Sequence, residues 1–201
     1  SDREADDWFG VSVAINGNYA LVGARGTDEG GSMTGSAYLY KFSENNNVLS
    51  IDNSFRILAS DRDDYDYFGW SVAINGSYAL VGAWGNDEGG NTAGSAYLYK
   101  FSESGNASFI IDNSYRILAS DGNASDEFGK SVAINGNYAL VGAWGNDEGG
   151  SLAGSAYLYK FSESGNASFT IDNSYRILAS DRAASDYFGK SVAINGSYAL
   201  V

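Results

Sequence analysis

Apolar positions along the chain fall in short runs separated by turn chemistry, as in Val72-Ala73-Ile74, Tyr78-Ala79-Leu80-Val81 and Ala96-Tyr97-Leu98-Tyr99. No stretch keeps a 3.6-residue apolar period with caps at its ends, so the pattern predicts strands and no helices. The same pattern recurs. The stretch from Asp66 through Phe68-Gly69 to Val81-Gly82-Ala83 returns nearly unchanged from Asp7, Asp126 and Asp186. Phe9, Phe68, Phe128 and Phe188 lie 59, 60 and 60 residues apart. A fixed period of this length marks a stacked repeat architecture. The chain divides into repeats at 1–59, 60–119 and 120–179, with a partial fourth, its first hairpin, at 180–201.

Each repeat reads as four strands. The first follows Phe-Gly, at Val11-Ser12-Val13-Ala14-Ile15 and again from Ser71 to Ile74. Asn16-Gly17, Asn75-Gly76, Asn135-Gly136 and Asn195-Gly196 follow, each leading into Tyr-Ala-Leu-Val. Asn-Gly between apolar runs predicts an antiparallel hairpin with a type I′ turn, whose two central residues need positive φ. A Gly-rich acidic loop then precedes the third strand, Ser95 to Phe101, which is dense in β-forming aromatics. The loop Ser102 to Ser108 leads to a fourth strand expected around Tyr115-Arg116-Ile117-Leu118-Ala119. In Tyr78 to Ala83 both faces are apolar, Tyr78 and Leu80 on one and Ala79, Val81 and Ala83 on the other. A sheet of that kind needs a neighbour on each side. Four-stranded antiparallel sheets stacked face to face are the blades of a β-propeller. Gly82, Ala83, Gly142 and Ala143 suit the crowded inner part.

Phe68-Gly69, then Val81-Gly82-Ala83, then Gly94-Ser95-Ala96-Tyr97 resembles the FG-GAP repeat of integrin α propellers and of many secreted bacterial and algal proteins. The likeness runs over the whole chain in register, except that the Pro usual after Gly-Ala is Arg25, Trp84 or Trp144. It implies an all-β fold of FG-GAP-type blades and an extracellular adhesion or binding role without catalysis. Three blades and a hairpin fall short of the four to eight of a closed ring. The expectation is a piece of a larger propeller, a ring closed by further copies, or an open array whose exposed end faces favour self-association.

Composition narrows the chemistry. The 201 residues contain no Cys, His or Pro. Disulfides, thiolate or imidazole metal ligands and Ser-His or Cys-His nucleophile pairs are therefore absent. A net charge of −13, from 25 acidic and 12 basic residues, repels phosphate backbones and speaks against nucleic-acid partners. No apolar run reaches the ~20 residues that span a bilayer, so no membrane insertion is expected in this segment. The chain starts without Met and inside a repeat, which reads as part of something longer.

Three sets of residues are candidates for function. The acidic loops carry Asp28 and Glu29, Asn86, Asp87 and Glu88, and Asn146, Asp147 and Glu148. Oxygen ligands beside Gly suit a hard cation such as Ca2+, and in integrin-like propellers the equivalent loops bind calcium. Here Asp87 interrupts the alternation of ligands, and a solvated acidic turn is the preferred reading. A second set, including Asp2, Asp7, Asp61, Asp66, Asp121, Asp126, Asp181 and Asp186, suits bonds to nearby backbone N–H groups. Paired carboxylates could run glycoside hydrolysis, but candidates repeated in every blade lack the unequal environments of an acid and a base. Asn-x-Ser/Thr patterns occur at Asn75, Asn106, Asn123, Asn166 and Asn195, which makes them glycosylation candidates. Trp84 and Trp144, in loops, invite a glycan ligand alongside Trp70, against the plainer reading that aromatics fill inter-blade packing. The sequence thus predicts a non-enzymatic, extracellular scaffold, adhesive or structural, that self-associates as a surface fibre, with a calcium-dependent protein- or glycan-binding propeller as the alternative.

Overall fold

The computed structural model describes residues 6–104, 108–164 and 168–201, and all regular structure in them is β. Three four-stranded antiparallel sheets follow one another along the chain. The first comprises β1 (Phe9–Asn16), β2 (Tyr19–Ala24), β3 (Ser36–Asn45) and β4 (Val48–Ile57). The second comprises β5 (Ser71–Asn75), β6 (Tyr78–Ala83), β7 (Ser95–Glu103) and β8 (Phe109–Ile117). The third comprises β9 (Ser131–Asn135), β10 (Tyr138–Ala143), β11 (Ser155–Glu163) and β12 (Phe169–Ile177), and a two-stranded hairpin of β13 (Ala193–Asn195) and β14 (Tyr198–Leu200) ends the chain. Strand order within each sheet follows the sequence, and the sheets form an open array that does not close on itself.

The turn after the first strand differs from the sequence expectation. Asn75 pairs with Tyr78, so the central residues are Gly76 and Ser77, and of these Gly76 alone has positive φ, at 56°. That fits a type II′ turn with Gly at its first central position. The I′ pattern occurs instead at Asn46-Asn47, both at positive φ (51° and 62°), closing β3 onto β4.

The fourth strand is also longer and earlier than expected, ending at Ile117 with Leu118 and Ala119 outside it. Its Asp-Asn-Ser segment carries little strand signal, because Asp and Asn are depleted in strands. The register explains how it is tolerated. Lys100 pairs with Asn113 and Phe101 with Ile111, leaving Asp112 as the extra residue of a bulge. Asp52 and Asp172 occupy the same place in the other sheets.

Among the described residues, each hydrophobic core cluster lies between two sheets. Leu21, Leu39 and Ile57 of the first sheet pack with Phe68, Val81, Tyr97 and Phe101 of the second unit. Leu80, Leu98 and Ile117, on the opposite face of that second sheet, pack with Phe128, Val141, Tyr157 and Phe161. Alternate residues of β6 therefore serve different cores, as strand alternation requires. Ala79 and Val81 face the first blade, and Leu80 faces the third.

Candidate functional site at the blade interfaces

The Phe-Gly pair opens each interface. Phe68 is completely buried and bridges in parallel to Gly35 of the preceding blade, its N–H donating to the Thr34 carbonyl at 3.0 Å. Gly69 has φ of +88° and donates to the Gly82 carbonyl at 3.0 Å. A methyl group added at Gly23 would overlap the Gly69 carbonyl, and one at Gly69 would overlap the Ser36 carbonyl. Backbone meets backbone here, which only Gly permits. The same contacts recur around Phe128-Gly129 and Phe188-Gly189.

A tyrosine holds the middle of each interface. Tyr19, just after the first turn, projects into the next blade and meets the rings of Phe101 and Phe109 at centroid distances of 5.2 and 6.2 Å. Its hydroxyl donates to Glu103 at 2.6 Å, and Lys41 donates to the other oxygen of that carboxylate at 2.6 Å. Tyr78 repeats this between Phe161 and Phe169, with Glu163 and Lys100. The bonds from Lys41 and Tyr19 hold the Glu103 carboxyl below its usual range. At Glu163 burial pushes the other way, and the bonds from Lys100 and Tyr78 outweigh it.

Asparagine ties the inner tips together. The side-chain oxygen of Asn16 accepts from the N–H of Gly76, Asn75 from Gly136, and Asn135 from Gly196, at 2.9, 2.9 and 3.1 Å. Asn in the Asn-Gly pair is thus a rung between blades and not a turn centre.

The acidic loops scatter their oxygens. Asn86 is 4% exposed; its amide donates to Asp66 at 3.2 Å and its oxygen accepts from Ser95 at 2.7 Å. Asn146 does the same with Asp126 and Ser155. Asp28, Asp87 and Asp147 each accept a backbone N–H five residues on, at 2.7, 2.7 and 2.8 Å. Glu29, Glu88 and Glu148 turn outward to Arg56, Arg116 and Arg176. Among the described residues no three acidic side chains converge as metal ligands would.

Asp2 lies outside the described residues, and five others of the Asp set before Phe-Gly fall into two groups. Asp66, Asp126 and Asp186 accept the backbone N–H three residues back, at 2.9, 3.0 and 2.6 Å. Burial raises the Asp66 carboxyl to about 6 despite the bonds from Asp63 and Asn86, and raises that of Asp126 likewise. Asp61 and Asp121 pair with Arg116 and Arg176 and accept from the hydroxyls of Tyr97 and Tyr157 at 3.1 and 2.8 Å.

The rings of the loop tryptophans are engaged within the protein. Trp84 stacks on Tyr67 at 4.9 Å, and the Lys130 ammonium lies 3.6 Å from its ring centroid. Trp144 leans on Tyr187 at 5.1 Å, with Lys130 and Lys190 near its ring and its N–H bonded to Glu127. Arg25, the counterpart of Trp84 in the first blade, sits between Trp8 and Trp70 at 4.3 and 4.4 Å. The residues after Gly-Ala and after Phe-Gly thus build an aromatic and cationic belt across the blades, with interactions of the cation–π kind.

Of the glycosylation candidates, Asn75 is half-buried and serves as a rung, while Asn123 and Asn195 are exposed. Asn106 and Asn166 lie outside the described residues.

The sequence reading passed over the Tyr19–Glu103–Lys41 latch and the asparagine rungs. Their signal was available as polar residues recurring at the repeat period inside strands, but their partners sit in a neighbouring repeat.

No curated protein matches the chain significantly. The profile of the FG-GAP repeat matches residues 1–40, 53–99, 113–159 and 173–201. Each match after the first begins in or beside the outer strand of one blade and runs across the interface just described, leaving out the tips of the outer hairpins. With these matches over most of its length, the chain belongs to the FG-GAP repeat family.

Proposed function

We propose that this chain is a non-catalytic scaffold of the cell exterior, built to extend by stacking blade on blade, as in a surface fibre. FG-GAP repeats are typical of extracellular or surface proteins, which supports the location. The observation that carries the reading is the placement of the cores, each shared by two blades, so that every blade is completed only by its neighbours. The repeated polar groups support it too, since Glu103, Asp66, Asn86 and Glu88 are occupied in holding blades and loops together. Light scattering with negative-stain imaging over a concentration series tests the reading. Rings or filaments that persist in EDTA are expected; particles that stay single at every concentration would contradict it.

One observation favours a second reading as a ligand-binding module. Where the outer strands β4 and β8 diverge, a wedge of about 380 Å³ opens, lined by Phe55, Tyr97, Tyr99 and Tyr115 among others. Between the next two blades the counterpart of Tyr99, Tyr159, instead donates to the Leu118 carbonyl at 3.1 Å. Aromatic and hydroxyl walls of this size suit a small neutral ligand such as a sugar. Chemical-shift changes confined to Tyr99 and Tyr115 on titration with oligosaccharides would support that use, and their absence across a broad glycan panel would remove it.

A further inference from the structure

The blade interfaces share one plan but do not close alike at their outer ends. Between the second and third blades, Tyr159 donates its hydroxyl to the Leu118 carbonyl at 3.1 Å. Tyr99 and Leu58 hold the same positions between the first and second blades, and there both line the open wedge of about 380 Å³. Tyr99 is as buried as Tyr159, each 4% exposed, yet its hydroxyl forms no hydrogen bond among the described residues. Burial, and then the charge of Asp61, push that hydroxyl well above its usual range, so it keeps its proton. A buried hydroxyl without a partner destabilises, and a group that supplies an acceptor relieves it.

The wedge lies within the array, between two complete four-stranded sheets. Charged groups around it are already paired. Arg116 meets Asp61 and Glu88, Arg56 meets Glu29, and the Tyr97 hydroxyl donates to Asp61 at 3.1 Å. What remains is uncharged. Phe55, Ile57 and Ile111 form apolar walls, and Ser60 and Ser114, both exposed, add hydroxyls to the lining.

We infer that this wedge binds a neutral sugar unit by inserting one sugar hydroxyl between Tyr99 and Leu58, where it accepts from the phenol and donates to the backbone carbonyl. The inserted group restores the link that Tyr159 and Leu118 make directly in the next interface. A hydroxyl both donates and accepts, which an amine cation or a carboxylate does not. The carbon face of the sugar ring lies on Phe55, the position that Tyr115 fills in the second blade. The volume suits one ring rather than a single water. The inference rests on the ligand-binding reading above and names the ligand class and the residue that selects it.

Two measurements on the 201-residue chain test it, using Tyr99→Phe and, as the control in the closed interface, Tyr159→Phe. The first is thermal melting without ligand. Tyr159→Phe should melt lower, because it breaks the bond to Leu118, whereas Tyr99→Phe should melt no lower than the wild type. An equal fall in both would overturn the inference, since it would show the Tyr99 hydroxyl already satisfied. The second is NMR titration with the methyl glycosides of glucose, galactose and mannose. At least one should bind the wild type and shift Phe55, Tyr99 and Ser114 signals, about tenfold more weakly in Tyr99→Phe, the effect of one lost hydrogen bond, and unchanged in Tyr159→Phe. Glycosides that bind Tyr99→Phe as tightly as the wild type would overturn the assignment of the hydroxyl while leaving the ligand-binding reading in place. If none binds the wild type, both fall and the scaffold reading stands alone.

Discussion

Tyr78 carries two separable contributions, a ring between Phe161 and Phe169 and a hydroxyl on Glu163. Tyr78→Phe keeps the first and leaves the carboxylate to Lys100, so urea unfolding should show a loss of about 1 kcal/mol. Tyr78→Ala empties the socket and should cost about 3 kcal/mol or more. Gly82 is limited differently, since a methyl there overlaps the Gly129 carbonyl, which is backbone and cannot swing away. Gly82→Ala should therefore destabilise by about 3 kcal/mol, against about 1 kcal/mol for Gly76→Ala, where space is open and positive φ alone is strained. The carboxyl groups set opposite pH trends. Asp66, raised from 3.8 to about 6, holds its proton longer when folded, so its contribution is full below 3.8 and is lost as pH rises through about 6. Glu103 and Glu163, held below 4.5, contribute above that value and lose it as pH falls through their lowered values. The melting temperature should peak near about pH 5. Relief of the −13 net charge pushes the same way on acidification, so the decisive reading is the Asp66 carboxyl chemical shift, expected to titrate near about 6 and not in the usual carboxylate range.

At the scale of the strand and loop, the sequence told most where a signal is local. Alternation in Tyr78 to Ala83 assigned its two faces correctly, because strand geometry alone sends Val81 one way and Leu80 the other. Asn75-Gly76 was read as a turn, which it is, but Gly76 alone needs positive φ, and the role of Asn75 depends on a blade 60 residues away. The fourth strand was expected around Tyr115 and not from Phe109, because a bulge that absorbs Asp112 leaves no mark in local propensity. The acidic loops show the same limit. Asn86, Asp87 and Glu88 are adjacent in sequence, yet one points into a buried network, one closes its own turn and one reaches an arginine on the outer strand. Their occupation by these partners predicts that EDTA leaves the melting temperature unchanged, as calorimetry would show; a marked fall in EDTA reversed by Ca2+ would support the calcium reading instead.

For the whole molecule, stability belongs to pairs of blades, since every buried cluster draws on two. Repeat proteins of this kind behave as chains of nearest-neighbour terms, and their ends are their weakest parts. The near-identity of the repeats turns that into an internal control. The hairpins β1–β2, β5–β6, β9–β10 and β13–β14 carry almost the same residues but have one covered face at the ends and two in the middle. Native-state hydrogen exchange on dilute, monomeric protein would compare them directly. The account predicts strong and similar protection in β5–β6 and β9–β10, with much faster exchange in β1 and in β13–β14. Equal protection across the four hairpins would mean that each blade stabilises itself, and would contradict the account at its centre.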